Sequence, residues 1–164
     1  MLPQLSALGW LHTLGSLPAV PLALYLLARH GRIPPERQLG KAFLFFMFIG
    51  AVSGVFVVQS PPGAAVAALS LISLTVGSTI GFIRPLERHR WWIETSALSV
   101  SVFTLFLPSV TESLTRLPAD HPIADSPEAP LVVGFQAALL LILIVGLTLQ
   151  LLFLRRPVRG TVLA

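Results

Sequence analysis

Residues 42–83 contain no Asp, Glu, Lys, Arg or His. They divide into two apolar runs, 42–58 and 63–83, which a short segment with the paired prolines Pro61 and Pro62 connects. A helix needs about 20 apolar residues to cross a hydrocarbon core about 30 Å thick. Each run is close to that length, and a proline pair interrupts a helix. The stretch therefore predicts a transmembrane helical hairpin.

The composition of the whole chain agrees with this prediction. Charged residues make up 11% of the chain, whereas a soluble domain has about 25%. The apolar runs predict an all-α fold, a polytopic transmembrane helix bundle that forms a single integral membrane domain over residues 1–164. We expect five transmembrane helices, at about residues 5–28, 42–58, 63–83, 93–113 and 131–154. Because the chain has no cysteine, it forms no disulfide and no thiolate metal site.

The first predicted helix has a bend and a polar side. Pro18 and Pro21 lack the N–H that a helix interior uses, so they predict a bend in the helix. At about 100° per residue, His12 and Ser16 share one side of this helix with Gly and Ala residues. Small residues let transmembrane helices approach closely, so we expect His12 to point into the bundle. The expected partners of its ring are a hydroxyl on the fourth helix, Gln136 or a bound ligand.

The second and third predicted helices both have a face of small residues. Such faces support close helix packing in lipid, where apolar burial no longer drives association. The pattern predicts that these two helices pack closely together and that the third helix buries its glycines. The small faces consist of Gly50, Ser53 and Gly54 on the second helix and Ser73, Gly77 and Gly81 on the third.

The positive charges predict the orientation and exclude one class of function. Of the 11 Lys and Arg residues, ten fall on one side of the predicted membrane and only Arg116 falls on the other. By the positive-inside rule the side with ten is cytoplasmic. The N-terminus is then outside and the C-terminus cytoplasmic, in the inner (plasma) membrane of a bacterium. The charges lie in short loops and not on one solvated face, which argues against binding of nucleic acid. The expected partners are the lipid bilayer and either a second copy or a larger membrane complex.

The last two predicted helices carry the other candidate binding residues, Glu94, Ser99 and Gln136. An intramembrane carboxylate is a functional candidate by default, but Glu94 lies four residues after Arg90, which also fits an ion pair. Gln136 and Gln150 are expected to turn inward to find hydrogen-bond partners. No serine–histidine–acid triad, phosphate loop or zinc motif is evident. We therefore expect no catalytic residue and no metal site.

The histidines bear on a haem cofactor. His12 lies within the predicted membrane, His121 lies in the outer loop, and His30 and His89 lie at the cytoplasmic edge. A bis-histidine haem site needs opposed histidines within facing helices, and only His12 is clearly intramembrane. The first expectation is that no cofactor is bound. The alternative is haem b or a quinone near His12.

Several short motifs in the first two helices resemble a known family. They are Leu11-His12, Gly15-Ser16, Arg29-His30-Gly31 and the run Arg37-Gln38-Leu39-Gly40-Lys41, with a looser echo at Arg90-Trp91-Trp92. In these the chain resembles an uncharacterised family of small bacterial multi-pass membrane proteins, a domain of unknown function whose helix pattern is similar to that of membrane b-type cytochromes. The resemblance implies a helix bundle and brings no settled activity. The family usually carries a histidine where this chain has Glu36, which removes one candidate haem ligand.

Three hypotheses for function follow. The first is a helix bundle without catalytic activity that has an accessory or small-ligand-binding role. The second is an electron-transfer protein that holds haem b or quinone near His12. The third is a transporter or channel that uses Glu94, Gln136, Gln150 and the Ser/Thr face of the fourth helix. Ion and proton pathways usually keep several polar groups within the membrane, so the scarcity of intramembrane charge counts against the third.

Overall fold

The computed structural model describes residues 6–58, 60–118 and 120–153. Within these ranges the chain is helical and has no strand. Two short 3₁₀ turns, Ile80–Phe82 and Arg84–Leu86, lead from the fourth helix to the fifth. The helices are α1 (Ala7–Ser16), α2 (Ala19–His30), α3 (Gln38–Val57), α4 (Pro61–Thr79), α5 (Arg90–Arg116) and α6 (Pro130–Phe153). Since α1 and α2 follow one another as one span, the described chain has five spans long and apolar enough to cross a membrane, which confirms the predicted fold class.

The bend predicted in the first span is a break between two helices. Leu17 and Pro18 separate α1 from α2. Pro18 and Pro21 have no N–H to donate to the preceding turn, so the hydrogen-bond ladder is interrupted. The N–H of Val20 instead donates to the carbonyl of Leu17 over 3.2 Å, which is a tighter turn than that of an α-helix.

A rigid turn connects α2 to α3. Gly31 ends α2 with φ at 67°, a left-handed conformation that favours glycine. A Cβ on Gly40 would overlap the carbonyl oxygen of Pro34, so only glycine fits there. Helix α3 begins at Gln38, four residues before the predicted start at residue 42. Its first turn therefore includes Lys41, which lies outside the uncharged stretch.

The first four spans enclose the apolar core. Successive spans pack against one another along the chain, α2 also contacts α5, and α6 packs on α5. Helix α6 contributes no described residue to the central cluster. The members of that cluster are Ala19, Ala23, Leu26, Ile33, Phe43, Met47, Ala51, Leu74, Leu98, Val102 and Leu105.

The predicted burial of Gly50, Ser53, Gly54 and Gly77 is confirmed, but the prediction that the small faces of α3 and α4 meet each other is wrong. The two helices are neighbours, but the small face of α3 lies against α1, where a Cβ on Gly50 would be 2.7 Å from the Cβ of Ser16. The small face of α4 lies against α5, where a Cβ on Gly77 would be 2.6 Å from Cδ2 of Leu98. A face of small residues predicts a close approach, but it does not specify which helix approaches.

The expected burial of Gly81 is also wrong. Gly81 lies in the first 3₁₀ turn after α4 and is exposed. A Cβ at this position would meet the guanidinium group of Arg90, with Nη2 at 2.8 Å. The helical periodicity that placed Gly81 on the face of Gly77 ends at Thr79, where α4 ends.

Candidate functional site

His12 is bound to α3. Its Nδ1 atom lies 3.1 Å from the carbonyl oxygen of Gly50 and 3.1 Å from Oγ of Ser53. The prediction that His12 faces other helices is therefore confirmed. The two protein partners predicted for the ring are wrong, because it binds α3 and neither the fourth span nor Gln136. Gly50 has no side chain to cover its carbonyl, so the ring on α1 can reach that oxygen.

This contact distinguishes the two ring nitrogens of His12. A carbonyl oxygen can only accept a hydrogen bond, so Nδ1 must carry the proton that it donates to Gly50. In the neutral ring Nε2 then keeps its lone pair. Nε2 forms no hydrogen bond within the described chain. One nitrogen therefore holds α1 to α3, and the other can still act as an acceptor or a ligand.

Ser16 does not face a binding site. Its Oγ donates to the carbonyl of His12 one turn earlier in α1, over 2.6 Å. Its Cβ lies against Gly50. A hydroxyl that bonds back to its own helix is already satisfied, so Ser16 contributes a small surface for helix packing.

Glu94 lies at the centre of a group of ion pairs. Its Oε1 accepts from Nη1 of Arg32 over 3.0 Å and its Oε2 accepts from Nε of Arg90 over 3.4 Å. Arg32 also pairs with Glu36 through Nη2, over 2.9 Å. The expected pair with Arg90 is confirmed. The closer partner, Arg32, was not predicted. The Glu94 side chain is only 7% exposed, and a buried charge needs such compensation.

Ser99 and Gln150 connect three spans. The hydroxyl of Ser99 on α5 donates to Oε1 of Gln150 on α6 over 2.6 Å. The amide nitrogen of Gln150 donates to the carbonyl of Gly31, where α2 ends, over 2.8 Å. Gln150 is buried, as expected from its position on α6. The candidate residue Ser99 thus forms part of a helix–helix contact.

Two further polar contacts join neighbouring spans. Nε2 of Gln136 on α6 donates to Oγ1 of Thr111 on α5 over 3.0 Å. The hydroxyls of Ser73 on α4 and Ser101 on α5 lie 3.0 Å apart.

Within the described residues, Oγ1 of Thr95 is the one buried side-chain polar atom without a hydrogen-bond partner.

The candidate residues do not form a common site. Apart from the bond of Ser16 to the backbone of His12, the described hydrogen bonds and ion pairs connect none of the five candidates to each other. Residues 6–58, 60–118 and 120–153 also contain no group of three His, Asp or Glu side chains that could hold a metal ion. The five candidates are His12, Ser16, Glu94, Ser99 and Gln136.

Arg32 is the residue that sequence reasoning missed. Its spacing to Glu36 fits a local ion pair, since Arg32 precedes Glu36 by four residues. Its pair with Glu94 spans 62 positions of the chain, and no local pattern signals such a contact. Its position in a basic segment had indicated only the orientation of the chain.

Two cavities open at the surface of the bundle. A groove of about 430 Å³ between α4 and α5 is lined mainly by apolar side chains, among them Leu69, Ile72 and Trp92. A cavity of about 360 Å³ lies between the end of α2 and the start of α3 and is lined by Arg29, His30 and Arg37, among others. The groove between α4 and α5 is apolar, and the cavity between α2 and α3 carries positive charge.

Comparison of the chain with protein-family models finds no match. Searches of curated proteins and of solved structures also find no significant match.

Proposed function

We propose that this protein is a helix-bundle protein of the bacterial inner membrane that has no catalytic activity and serves an accessory or small-ligand-binding role. One observation supports this proposal most strongly. Several polar side chains within the spans bind one another across helices, as in the contacts of His12 with Ser53 and of Ser99 with Gln150, and others bond back to their own helix, as Ser16 does. A catalytic or transport site would need polar groups that converge on a substrate.

The orientation is part of this proposal. Arg32, Arg37, Arg84 and Arg90 lie at one end of the bundle, which we call the basic end, whereas Arg116 ends α5 at the opposite end. The asymmetry supports a cytoplasmic basic end and an N-terminus outside. A fluorescent reporter that matures only in the cytoplasm should be bright at the C-terminus and dark at the N-terminus. The reverse pattern would contradict the orientation.

The proposal is tested by purification of the full chain from cells that make haem and quinone. The absorption spectrum should lack a Soret band, and the lipid extract should contain no more quinone than an extract of an unrelated membrane protein. Vesicles that contain the protein should leak protons and alkali cations no faster than empty vesicles. A Soret band, enriched quinone or a specific ion flux would each contradict the proposal.

A second candidate function has its own support. The bond from Nδ1 of His12 to the carbonyl of Gly50 is the arrangement that orients a ligating histidine through its other nitrogen. We therefore keep haem b or quinone at Nε2 of His12 as the alternative. If a pigment co-purifies, His12→Ala should remove it and His121→Ala, in the loop after α5, should retain it. Retention of the pigment by His12→Ala would exclude His12 as the ligand.

A further inference from the structure

The cavity between α2 and α3 combines positive charge with an apolar rim. Its polar lining consists of Tyr25, Arg29, His30, Arg37 and Gln38, and two leucines complete the wall. Its volume of about 360 Å³ lies within the range of small-ligand sites, about 300–1,000 Å³. The cavity therefore has room for the headgroup of a lipid.

Arg29, His30 and Arg37 lie together in this cavity, and Glu36 is close enough to act electrostatically on His30. Nη1 of Arg37 lies 3.5 Å from Nε2 of His30. Since a guanidinium only donates, the ring nitrogen of His30 must accept. Among the described residues neither Arg29 nor Arg37 forms an ion pair. Glu36, the acid nearest in sequence, pairs with Arg32 instead.

The turn between α2 and α3 holds these groups in place before any ligand arrives. The backbone N–H of Arg37 donates to the carbonyl of Pro34 over 3.2 Å, and Gly40 fits closely against that same carbonyl. Gln150 fixes the carbonyl of Gly31 from α6. Helix α3 begins at this turn without a side-chain cap, so its first N–H groups add to the positive potential.

The position of the cavity indicates the source of the ligand. His30 is the last residue of the first span and Gln38 is the first residue of the second, so the cavity lies at the membrane boundary. A tyrosine is typical of this depth, and Leu39, which is exposed at the rim of the cavity, lies where an acyl chain would pass. Arginine binds phosphate with two parallel hydrogen bonds.

We infer that the cavity formed by Tyr25, Arg29, His30, Arg37 and Gln38 binds the phosphate-bearing headgroup of an anionic phospholipid. The two arginines hold the phosphate, and Tyr25 and Gln38 offer hydrogen bonds to its substituent. This inference goes beyond the proposed function and is independent of whether His12 holds a cofactor.

The test is a lipid titration of the purified full chain in neutral detergent, with bound lipid followed by native mass spectrometry. The probes are phosphatidylglycerol, phosphatidylcholine and inorganic phosphate. The double variant Arg29→Gln/Arg37→Gln is compared with Arg84→Gln/Arg88→Gln, which removes the same charge from exposed positions at the basic end. At about 1 kcal/mol for each basic residue, loss of both cavity arginines should weaken phosphatidylglycerol binding about 30-fold.

The control variant Arg84→Gln/Arg88→Gln should bind phosphatidylglycerol at least about tenfold more tightly than the cavity variant Arg29→Gln/Arg37→Gln. The unmodified protein should bind phosphatidylcholine more weakly than phosphatidylglycerol. Equal losses in both pairs would mean general surface attraction and would overturn the inference. Tight binding of inorganic phosphate would overturn the lipid assignment in favour of a soluble phosphate ligand. If the double variant Arg29→Gln/Arg37→Gln fails to fold, the variant Leu39→Glu is tested in its place. Leu39 is exposed at the rim of the cavity, so the added negative charge should repel the headgroup. Unchanged binding by Leu39→Glu would then overturn the inference.

Discussion

Helices α5 and α6 are neighbours in the chain and in the bundle, yet they have opposite surroundings. In the apolar stretch of α5, 39% of the residues are buried, against 6% in that of α6. Helix α6 has the highest mean hydropathy of the five spans, and α5 shares the lowest with the first span. The more polar helix is thus the interior one, and the more apolar helix is the peripheral one.

This difference shows which interactions select the neighbours of a helix in a membrane. Lipid tails satisfy an apolar side chain as well as another helix does, so apolarity no longer predicts burial. Polar side chains require partners, and α5 finds them on α4, on α6 and in the turn after α2. Helix α6 carries two inward glutamines, which bond to Thr111 and Ser99 of α5 and to the carbonyl of Gly31. We expect substitutions at buried positions of α5 to be costly and those on the outer face of α6 to be tolerated.

The largest expected effect is at Glu94. Glu94→Gln removes the carboxylate that pairs with Arg32 and Arg90. Arg32 keeps its pair with Glu36 and Arg90 can reach solvent, so the loss should lie toward the lower end of the range of about 3–5 kcal/mol for breaking a buried ion pair. The control is Glu112→Gln in the same helix. Glu112 pairs with Arg116 while both side chains are more than half exposed, so its loss should cost about 0–1 kcal/mol. Equal unfolding midpoints of the two variants in detergent would contradict the assigned role of Glu94.

Leucine truncation compares the two helices directly. Leu98 on α5 is 1% exposed and Leu141 on α6 is 62% exposed. Leu98→Ala should lower the unfolding free energy by about 2–4 kcal/mol, because the truncation leaves a cavity in the core. Leu141→Ala should change it by less than about 0.5 kcal/mol. Thermal denaturation in one detergent measures both, and a larger loss for Leu141→Ala would reverse the assignment of inner and outer helix.

Glycine substitution tests the tightness of packing. A Cβ on Gly77 would collide with Leu98, whereas a Cβ on Gly146 of α6 would meet no atom within 4 Å. Gly77→Ala should destabilise the protein by about 1–3 kcal/mol through overpacking. Gly146→Ala should be neutral or stabilise it by up to about 1 kcal/mol through helix propensity. Similar melting temperatures for the two variants would show that α4 and α5 are not in close contact at Gly77.

The smallest effect is expected at His12, on the periphery of the core. His12→Ala removes one side-chain contact to Gly50 and Ser53 and should cost about 1 kcal/mol. His121→Ala, in the exposed loop, should leave the unfolding free energy unchanged. A His12→Ala variant as stable as the parent protein would remove the evidence for a structural role and would favour the cofactor alternative.

Local sequence patterns were sufficient to predict the spans. The uncharged stretch and the proline pair placed the hairpin of α3 and α4, and the prolines at 18 and 21 placed the break in the first span. The spacing of Arg90 and Glu94 predicted their ion pair. These features depend on residues close together in the chain, so backbone chemistry and side-chain spacing determine them.

Long-range partners could not be predicted in the same way. The small face of α3 lies against α1, and a face of small residues does not itself specify which helix packs on it. The Arg32–Glu94 pair and the Gln150–Gly31 bond join distant segments. From the sequence, Glu94 and Gln150 could be recognised as polar groups that need partners, but the partners themselves could not be predicted.

The central claim is that polar groups within the spans bind other helices and not a ligand or substrate. A double-mutant cycle of Ser99→Ala and Gln150→Leu on the unfolding free energy in detergent tests it most directly. The 2.6 Å bond between these side chains predicts a favourable coupling energy of about 0.6 kcal/mol or more, as measured for buried polar pairs in membrane helices. A coupling energy of zero, with the two single effects strictly additive, would contradict the claim.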